Sequence, residues 1–205
     1  MPTIELDLDG YTDLPPGHIA NVVTYFEMRS PDEAGGYPLP ADFSVRRIER
    51  PDVEAYRALY RRIGHEWLWV SRIAMPEAEL AAILRRPTTE LLFLMRGEEA
   101  VGLCEIHRLG TDVEIKMFGI VPEVQGTGAA KGFLSAALDA AWQAPTERVW
   151  LHTCSFDHPA AVHFYRRMGF TPFKFAIEVT PDPRLEGVLP ETAGPHVALI
   201  RPKAE

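Results

Sequence analysis

The chain has 205 residues, of which 46% are hydrophobic, enough for one sizeable core with appendages. A formal net charge of −8 argues against nucleic acid and anionic membranes as main partners. No apolar run reaches the ~18 residues of a membrane span, and Met1–Glu5 carries no basic-then-apolar leader, so a cytoplasmic protein is expected.

Ile4 to Leu8 alternates and is expected to form a strand, ended by Asp13-Leu14-Pro15-Pro16-Gly17. His18 to Met28, rich in Val, Tyr and Phe, reads as a second strand. Ser30 to Pro40 is a proline- and glycine-rich loop. Residues 1–42 are therefore expected to be an N-terminal extension, a strand pair plus linker, and residues 43–205 the main domain. Phe43–Ile48 reads as a strand and Asp52–Ile63 as a helix, with Val53, Tyr56, Leu59, Tyr60 and Ile63 at helical spacing. An irregular bridge, His65–Trp69, leads to a helix over Pro76–Leu84. Leu91–Met95 and Ala100–His107 form a hairpin through Gly97-Glu98-Glu99, and Gly110-Thr111 turns into a strand Val113–Val121. A helix Lys131–Trp142, a strand Val149–Cys154, a helix Pro159–Met168 and strands Phe173–Val179 and His196–Ile200 complete the chain. Cys104 and Cys154 lie in these strands without metal-like spacing and are expected to be reduced thiols.

The most informative stretch is Val121-Pro122-Glu123-Val124-Gln125-Gly126-Thr127-Gly128-Ala129-Ala130, set between a strand and a helix. A glycine-rich loop there leaves backbone N–H groups free at a helix N-terminus, where donors and helix dipole suit a phosphate. An ordinary strand-to-helix turn is the alternative. The dinucleotide pattern G-x-G-x-x-G fits poorly, since its third glycine slot holds Phe133 or Lys131. A Walker loop fails because Gly132 is followed by Phe133. A second segment, Asp157 to Phe170, has Asp or His at the expected N-cap, Pro159 in the first turn and Gly169 where a left-handed C-cap belongs.

The pattern Gln-x-x-Gly-x-Ala after Val-Pro resembles the CoA pyrophosphate loop of GNAT-type N-acetyltransferases. Asp157, Ala161, Tyr165 and Gly169-Phe170 resemble a second segment of that superfamily, and the likeness runs over about Val45 to Phe170. The element order resembles the GNAT fold, an α/β arrangement with a mixed twisted sheet and helices on both faces. The resemblance implies acetyl-CoA as acyl donor, held by Ile120, Val121, Gln125, Gly126, Thr127, Gly128, Ala129, Ala130, Asp157, Ala161 and Tyr165. It also implies direct transfer to a primary amine of a small molecule or peptide in a ternary complex, with no metal. A homodimer is compatible with it. A non-catalytic acyl-CoA-binding sensor of the same fold is the alternative. Asp157 stands where many relatives carry Asn, which puts its contact with the pantetheine arm in doubt.

Amine acetylation needs a base. An amine of pKa ~10.4 is only ~0.04% neutral at pH ~7, and removing its proton costs roughly 4.6 kcal/mol. With the hairpin tip at Gly110-Thr111, His107 is expected opposite Glu114 and Glu105 opposite Lys116, all four on one face. Glu114 is the candidate base, at the place of the glutamate base in the histone-acetylating branch of the superfamily. Glu105 is the second candidate, and a solvated face with routine ion pairs is the other reading. Tyr165 occupies the slot of the tyrosine that faces the CoA sulfur in relatives. It is either the acid that protonates the thiolate or a core aromatic. Trp67 and Trp69 either cage a cationic acceptor or pack on the core. His65-Glu66 does not extend to H-E-x-x-H, and His152, His158 and His163 are not spaced as a metal set.

Overall fold

The computed structural model describes residues 3–143 and 145–202. Its strands are β1 (His18–Met28), β2 (Phe43–Arg47), β3 (Thr89–Arg96), β4 (Glu99–Leu109), β5 (Asp112–Ile120), β6 (Arg148–Cys154) and β7 (Thr171–Pro181). The α-helices are α1 (Val53–Gly64), α2 (Ser71–Ala74), α3 (Glu77–Leu84), α4 (Ala129–Ala141) and α5 (Ala161–Arg167). All seven strands join one sheet in the order β2-β3-β4-β5-β6-β1-β7. Every neighbouring pair is antiparallel except β5–β6, which is parallel. Helices cover both faces: Tyr56 of α1 reaches Glu105 of β4 on one side, while Phe118 of β5 meets Phe133 of α4 and Phe164 of α5 on the other. This is the expected mixed, doubly covered sheet.

Helix α1 forms because its apolar residues recur on one face and its first turn is capped. Val53, Tyr56, Leu59, Tyr60 and Ile63 are buried, and the Asp52 carboxylate accepts from the Ala55 N–H at 2.8 Å. In α4 the stripe is Ala129, Phe133, Leu134, Ala137, Leu138 and Ala141, all buried. Phe133, Leu134 and Leu138 alone contribute about 1.5–3 kcal/mol each by leaving water.

Several expected elements differ. Residues Ile4–Leu8 form no strand: the Asp7 N–H takes the Thr12 hydroxyl and the Asp9 N–H takes the Asp7 carboxylate, turning the chain locally, and Leu8 stays exposed. The expected strand pair is therefore absent, and β1 sits inside the sheet between β6 and β7. Residues 196–200 also form no strand. The buried Arg184 guanidinium pairs with Asp182 at 2.7 Å and donates to the carbonyls of Ala193 (3.2 Å) and Val197 (2.7 Å), so that tail's backbone is committed to a side chain. Helix α5 starts at Ala161 rather than Pro159, because the Ala161 N–H closes a turn onto the His158 carbonyl. Gly169 has φ +99°, the expected left-handed C-cap.

The connection from β1 to β2 crosses the α4–α5 side as a strap. Its Gly35 N–H donates to the Met168 carbonyl at the end of α5, and its Tyr37 N–H donates to Ser135 Oγ on α4, which donates in turn to the Gly35 carbonyl. The strap lies so close to α4 that a Cβ on Gly132 would sit 2.6 Å from the Leu39 Cα and 2.8 Å from the Pro38 carbonyl oxygen. Glycine at 132 is a steric requirement of that crossing.

Candidate active site

Strands β5 and β6 pair over Asp112↔Arg148, Val113↔Val149 and Glu114↔Trp150, then continue to Ile120 and Cys154 without pairing. The sheet therefore opens between them into a wedge with unpaired backbone edges, where a ligand can take the hydrogen bonds a neighbouring strand would have made. At the end of β5, Pro122–Val124 make one 3₁₀ turn and residues 125–128 lead into α4. Gly126 (φ +75°) and Gly128 (φ +86°) are left-handed, a conformation that costs other residues strain. The Thr127 hydroxyl donates to the Val124 carbonyl at 2.7 Å and accepts from the Ala129 N–H at 3.3 Å, fixing the loop from inside. The N–H groups of Gly126, Thr127, Gly128 and Ala130 take no backbone acceptor. Gln125 to Gly128 are exposed, and space around the Gly126 Cα is open. Free donors at the positive end of a 13-residue helix fit a pyrophosphate.

Tyr165 enters from the α5 side. Its ring is buried among Phe26 (5.9 Å), Phe164 (5.3 Å) and Phe170 (6.1 Å). Burial, then the Asp157 carboxylate and Cys104, push the hydroxyl well above its ordinary pKa, and no hydrogen bond offsets them. The phenol is thus held as a proton donor. Ile120 at the end of β5 and Ala161 at the start of α5 are half-buried, and Val121 is fully buried.

Asp157 is committed to the protein. Its carboxylate accepts from Trp69 Nε1 (2.9 Å), the Thr153 hydroxyl (2.6 Å) and the Cys154 N–H (2.9 Å). Trp69 closes the wedge on the α1 side: its ring lies over Gly119 of β5, where a Cβ would approach within 3.0 Å, and its Nε1 holds the segment after β6. A Cβ on Gly119 would meet Ile63 Cγ2 of α1 still sooner, at 2.5 Å, so the glycine on β5 admits both that side chain and the indole. Trp67 has other neighbours, His158 at 5.0 Å and His196 at 5.4 Å. The two tryptophans therefore have separate aromatic partners, Tyr60 for Trp69 and the two histidines for Trp67.

The α1 face of β4 and β5 carries the ionisable groups, with a register that differs from the sequence expectation. His107 does lie opposite Glu114, but a β-bulge between Glu105 and Ile106 sets Glu105 opposite Met117 rather than Lys116. The extra residue on β5 breaks the simple alternation. Lys116 pairs with Glu114 instead, Nζ to Oε1 at 3.0 Å. Glu105, fully buried, accepts from Arg72 Nη2 (2.6 Å), Arg72 Nε (3.2 Å) and the Tyr56 hydroxyl (2.6 Å), and its Oε1 lies 2.6 Å from His107 Nε2. Burial alone would raise its pKa, but the bonds from His107, Arg72 and Tyr56 with the Arg72 charge win and pull it to about 2. Such a carboxylate is a poor proton acceptor. Glu114 is 5% exposed and has one cationic partner, which leaves lone pairs for another donor.

Arg72 escaped the sequence reading, as did the roles of Tyr56 and His152 at this site. Arg72 rides on α2, a single turn too short for a periodic signal. His152 lies on the face of β6 two residues past Trp150, the partner of Glu114. Desolvation first and the Lys116 charge second hold its pKa below the ordinary value, favouring the neutral ring. Among the described residues no group of three or more His, Cys, Asp or Glu could hold a metal ion, and no helix is long and apolar enough to cross a membrane.

The wedge, the donor loop and the buried tyrosine lie within residues 54–170, the span matched by the acetyltransferase (GNAT) family. The chain belongs to the GNAT family. Solved structures share its fold at low identity. A functionally unknown conserved protein of Staphylococcus epidermidis aligns with TM-score 0.61 at 15% identity, over 81% of this chain and 63% of that one. The Escherichia coli ribosomal-protein-S18-alanine N-acetyltransferase aligns with TM-score 0.54 at 15% identity, over 68% of this chain and 94% of that one. An aminoglycoside acetyltransferase from an uncultured soil metagenomic sample aligns with TM-score 0.53 at 16% identity, over 63% and 88%. This GNAT chain spans less than two thirds of the Staphylococcus protein, and no curated protein matches it significantly.

Proposed function

We propose that this GNAT protein moves an acetyl group from acetyl-CoA to a primary amine of a small molecule or peptide, by direct transfer in a ternary complex. The observation that carries the reading is the wedge between β5 and β6, with free loop N–H groups where β5 runs into α4; to its side we assign the protonated Tyr165 hydroxyl. Gln125 to Ala130 hold the pyrophosphate, and the unpaired edges of the wedge, with Ile120, Val121 and Ala161, take the pantetheine arm. Asp157 acts mainly by fixing Trp69 and the end of β6. Acetyl-CoA supplies an activated thioester. In the transfer the nitrogen–carbon bond forms and the carbon–sulfur bond breaks.

Glu114 accepts the ammonium proton, directly or through water, while Lys116 keeps its carboxylate oriented. Tyr165 donates its hydroxyl proton to the departing sulfur, and the second proton shed by the nitrogen as the amide forms restores the phenol. Glu105 is a positioning residue that ties α1 and α2 to the sheet and thereby sets the Trp69 wall. The structural relatives that acetylate an aminoglycoside and a ribosomal-protein alanine support an amine acceptor.

A thiol-release screen of polyamines, amino acids, aminoglycosides and peptide amines tests the reading. Amine-dependent CoA release is expected, and its absence with tight acetyl-CoA binding would instead mark an acyl-CoA sensor. With an acceptor in hand, Glu114→Gln should lose most activity near neutral pH and recover toward the acceptor's pKa of about 10. A flat profile for Glu114→Gln with a pH-rescued defect in His152→Gln would move the base to β6.

A further inference from the structure

β7 is an edge strand: it pairs with β1 alone, and its other edge presents unpaired backbone groups. Such an edge is normally blunted by charges, bulges, prolines or a covering element. Here the prolines are confined to the ends, at Pro172 and Pro181, and the bulge opposite Tyr25–Phe26 also lies near the start. The middle carries large exposed apolar groups flanked by two charges of opposite sign, Lys174 and Glu178. Phe175 is 72% exposed and Ile177 51%, beside Val22 at 49%, which lies opposite Ile177 in the register.

The order of side chains around Ala176 is self-complementary. Lys174 and Glu178 lie two residues to either side of it, and their β1 contacts put both on one face: the Lys174 Nζ sits 3.9 Å from the Tyr25 ring, and Glu178 Oε2 accepts from Asn21 Nδ2 at 2.9 Å. Phe175 and Ile177, one residue to either side, project from the opposite face. If a second copy of this strand is laid antiparallel with the two-fold axis on Ala176, each Lys174 faces the other copy's Glu178 and each Phe175 faces the other copy's Ile177. Charge meets opposite charge twice on one face, apolar meets apolar twice on the other, and the small Ala176 meets itself at the axis. Two-fold contacts require such self-complementarity, and opposite charges and apolar pairs facing across strands each favour the pairing.

We infer that β7 is the homodimer interface, pairing edge to edge with a second copy of the chain about Ala176 to make one continuous sheet. β1 and β6 separate this edge from the β5–β6 wedge, so the inference does not depend on the proposed activity.

The test is the oligomeric state of the full chain by sedimentation velocity and light scattering across a concentration series. The wild type should reach twice the 23.0 kDa chain mass. Lys174→Glu alone, or Glu178→Lys alone, puts like charges opposite each other at two symmetric places and should weaken the dimer about tenfold or more. The double variant carrying both exchanges should restore it. Phe175→Ser/Ile177→Ser should be monomeric with unchanged far-UV circular dichroism, which separates loss of the interface from loss of the fold. A monomeric wild type at all concentrations would overturn the inference. So would a dimer that neither single exchange weakens, or one the double exchange fails to rescue.

Discussion

Glu105→Gln keeps the shape of a fully buried side chain and removes its charge, leaving the 4%-exposed Arg72 without a counter-ion. Breaking a buried pair from one side typically costs about 3–5 kcal/mol. The wild-type pH dependence supplies an independent magnitude. The carboxyl is pulled from 4.5 in the ordinary state to about 2 in the fold. At ~1.36 kcal/mol per pH unit that is about 3 kcal/mol of stability linked to its ionisation. The sign follows from a depressed pKa. The stabilisation is complete above the unfolded value of 4.5 and is lost as pH falls toward about 2. Urea unfolding followed by tryptophan fluorescence at several pH values should show the glutamine variant about 3–5 kcal/mol less stable near pH ~7, with the gap shrinking by roughly 3 kcal/mol toward pH ~2. If the variant is too unstable to titrate, Tyr56→Phe removes one of the donors and should lower stability at neutral pH by about 1.5–3 kcal/mol, again shrinking in acid. A gap of constant size from neutral to acid pH would refute the assignment of Glu105 as a locked, ionised anchor.

Tyr165→Phe keeps the packed ring and removes the hydroxyl, so kcat should drop about 10²–10⁴-fold with acetyl-CoA affinity little changed; single-turnover kinetics checks this against a packing role. Gly128→Glu strains a left-handed position at φ +86° and adds negative charge beside the free N–H groups, so calorimetric acetyl-CoA binding should be lost while the fold remains. Gly132→Ala drives a methyl group into the Leu39 backbone. It should lower stability by about 1–3 kcal/mol in chemical denaturation, whereas an equally stable variant would mean that the strap moves freely.

Much of this molecule is legible in its sequence because local chemistry and tertiary demand agree. Asp52 caps α1, the α4 stripe faces the sheet, and Gly169 ends α5, all as spacing and capping rules require. The glycine loop is legible because left-handed Gly126 and Gly128 leave a signature that few other needs produce. What stayed hidden depends on residues distant in the chain. The bulge that turns Glu105 toward Met117 costs one extra residue and breaks no sequence rule, so counting from the hairpin tip pairs Glu105 with the wrong neighbour. Arg72, which decides that Glu105 is locked, comes from a one-turn helix in a segment read as irregular. Asp157 looked like a ligand contact, and only its bond to Trp69 shows it bracing the wall of the wedge.

The position of β1 also governs how the chain must be assembled. Its partners, β6 and β7, begin at Arg148 and Thr171. At about 5–20 residues per second, a nascent β1 waits on the order of 6–25 s before the first of these strands is made. During that time two edges of a strand rich in Val, Tyr and Phe have no native partner. The sheet then closes last beside one edge, by insertion of the oldest strand between the two youngest. Pairings that span so much chain slow folding, so assembly of the β6–β1–β7 side is expected to set the folding rate and to be the step most exposed to aggregation.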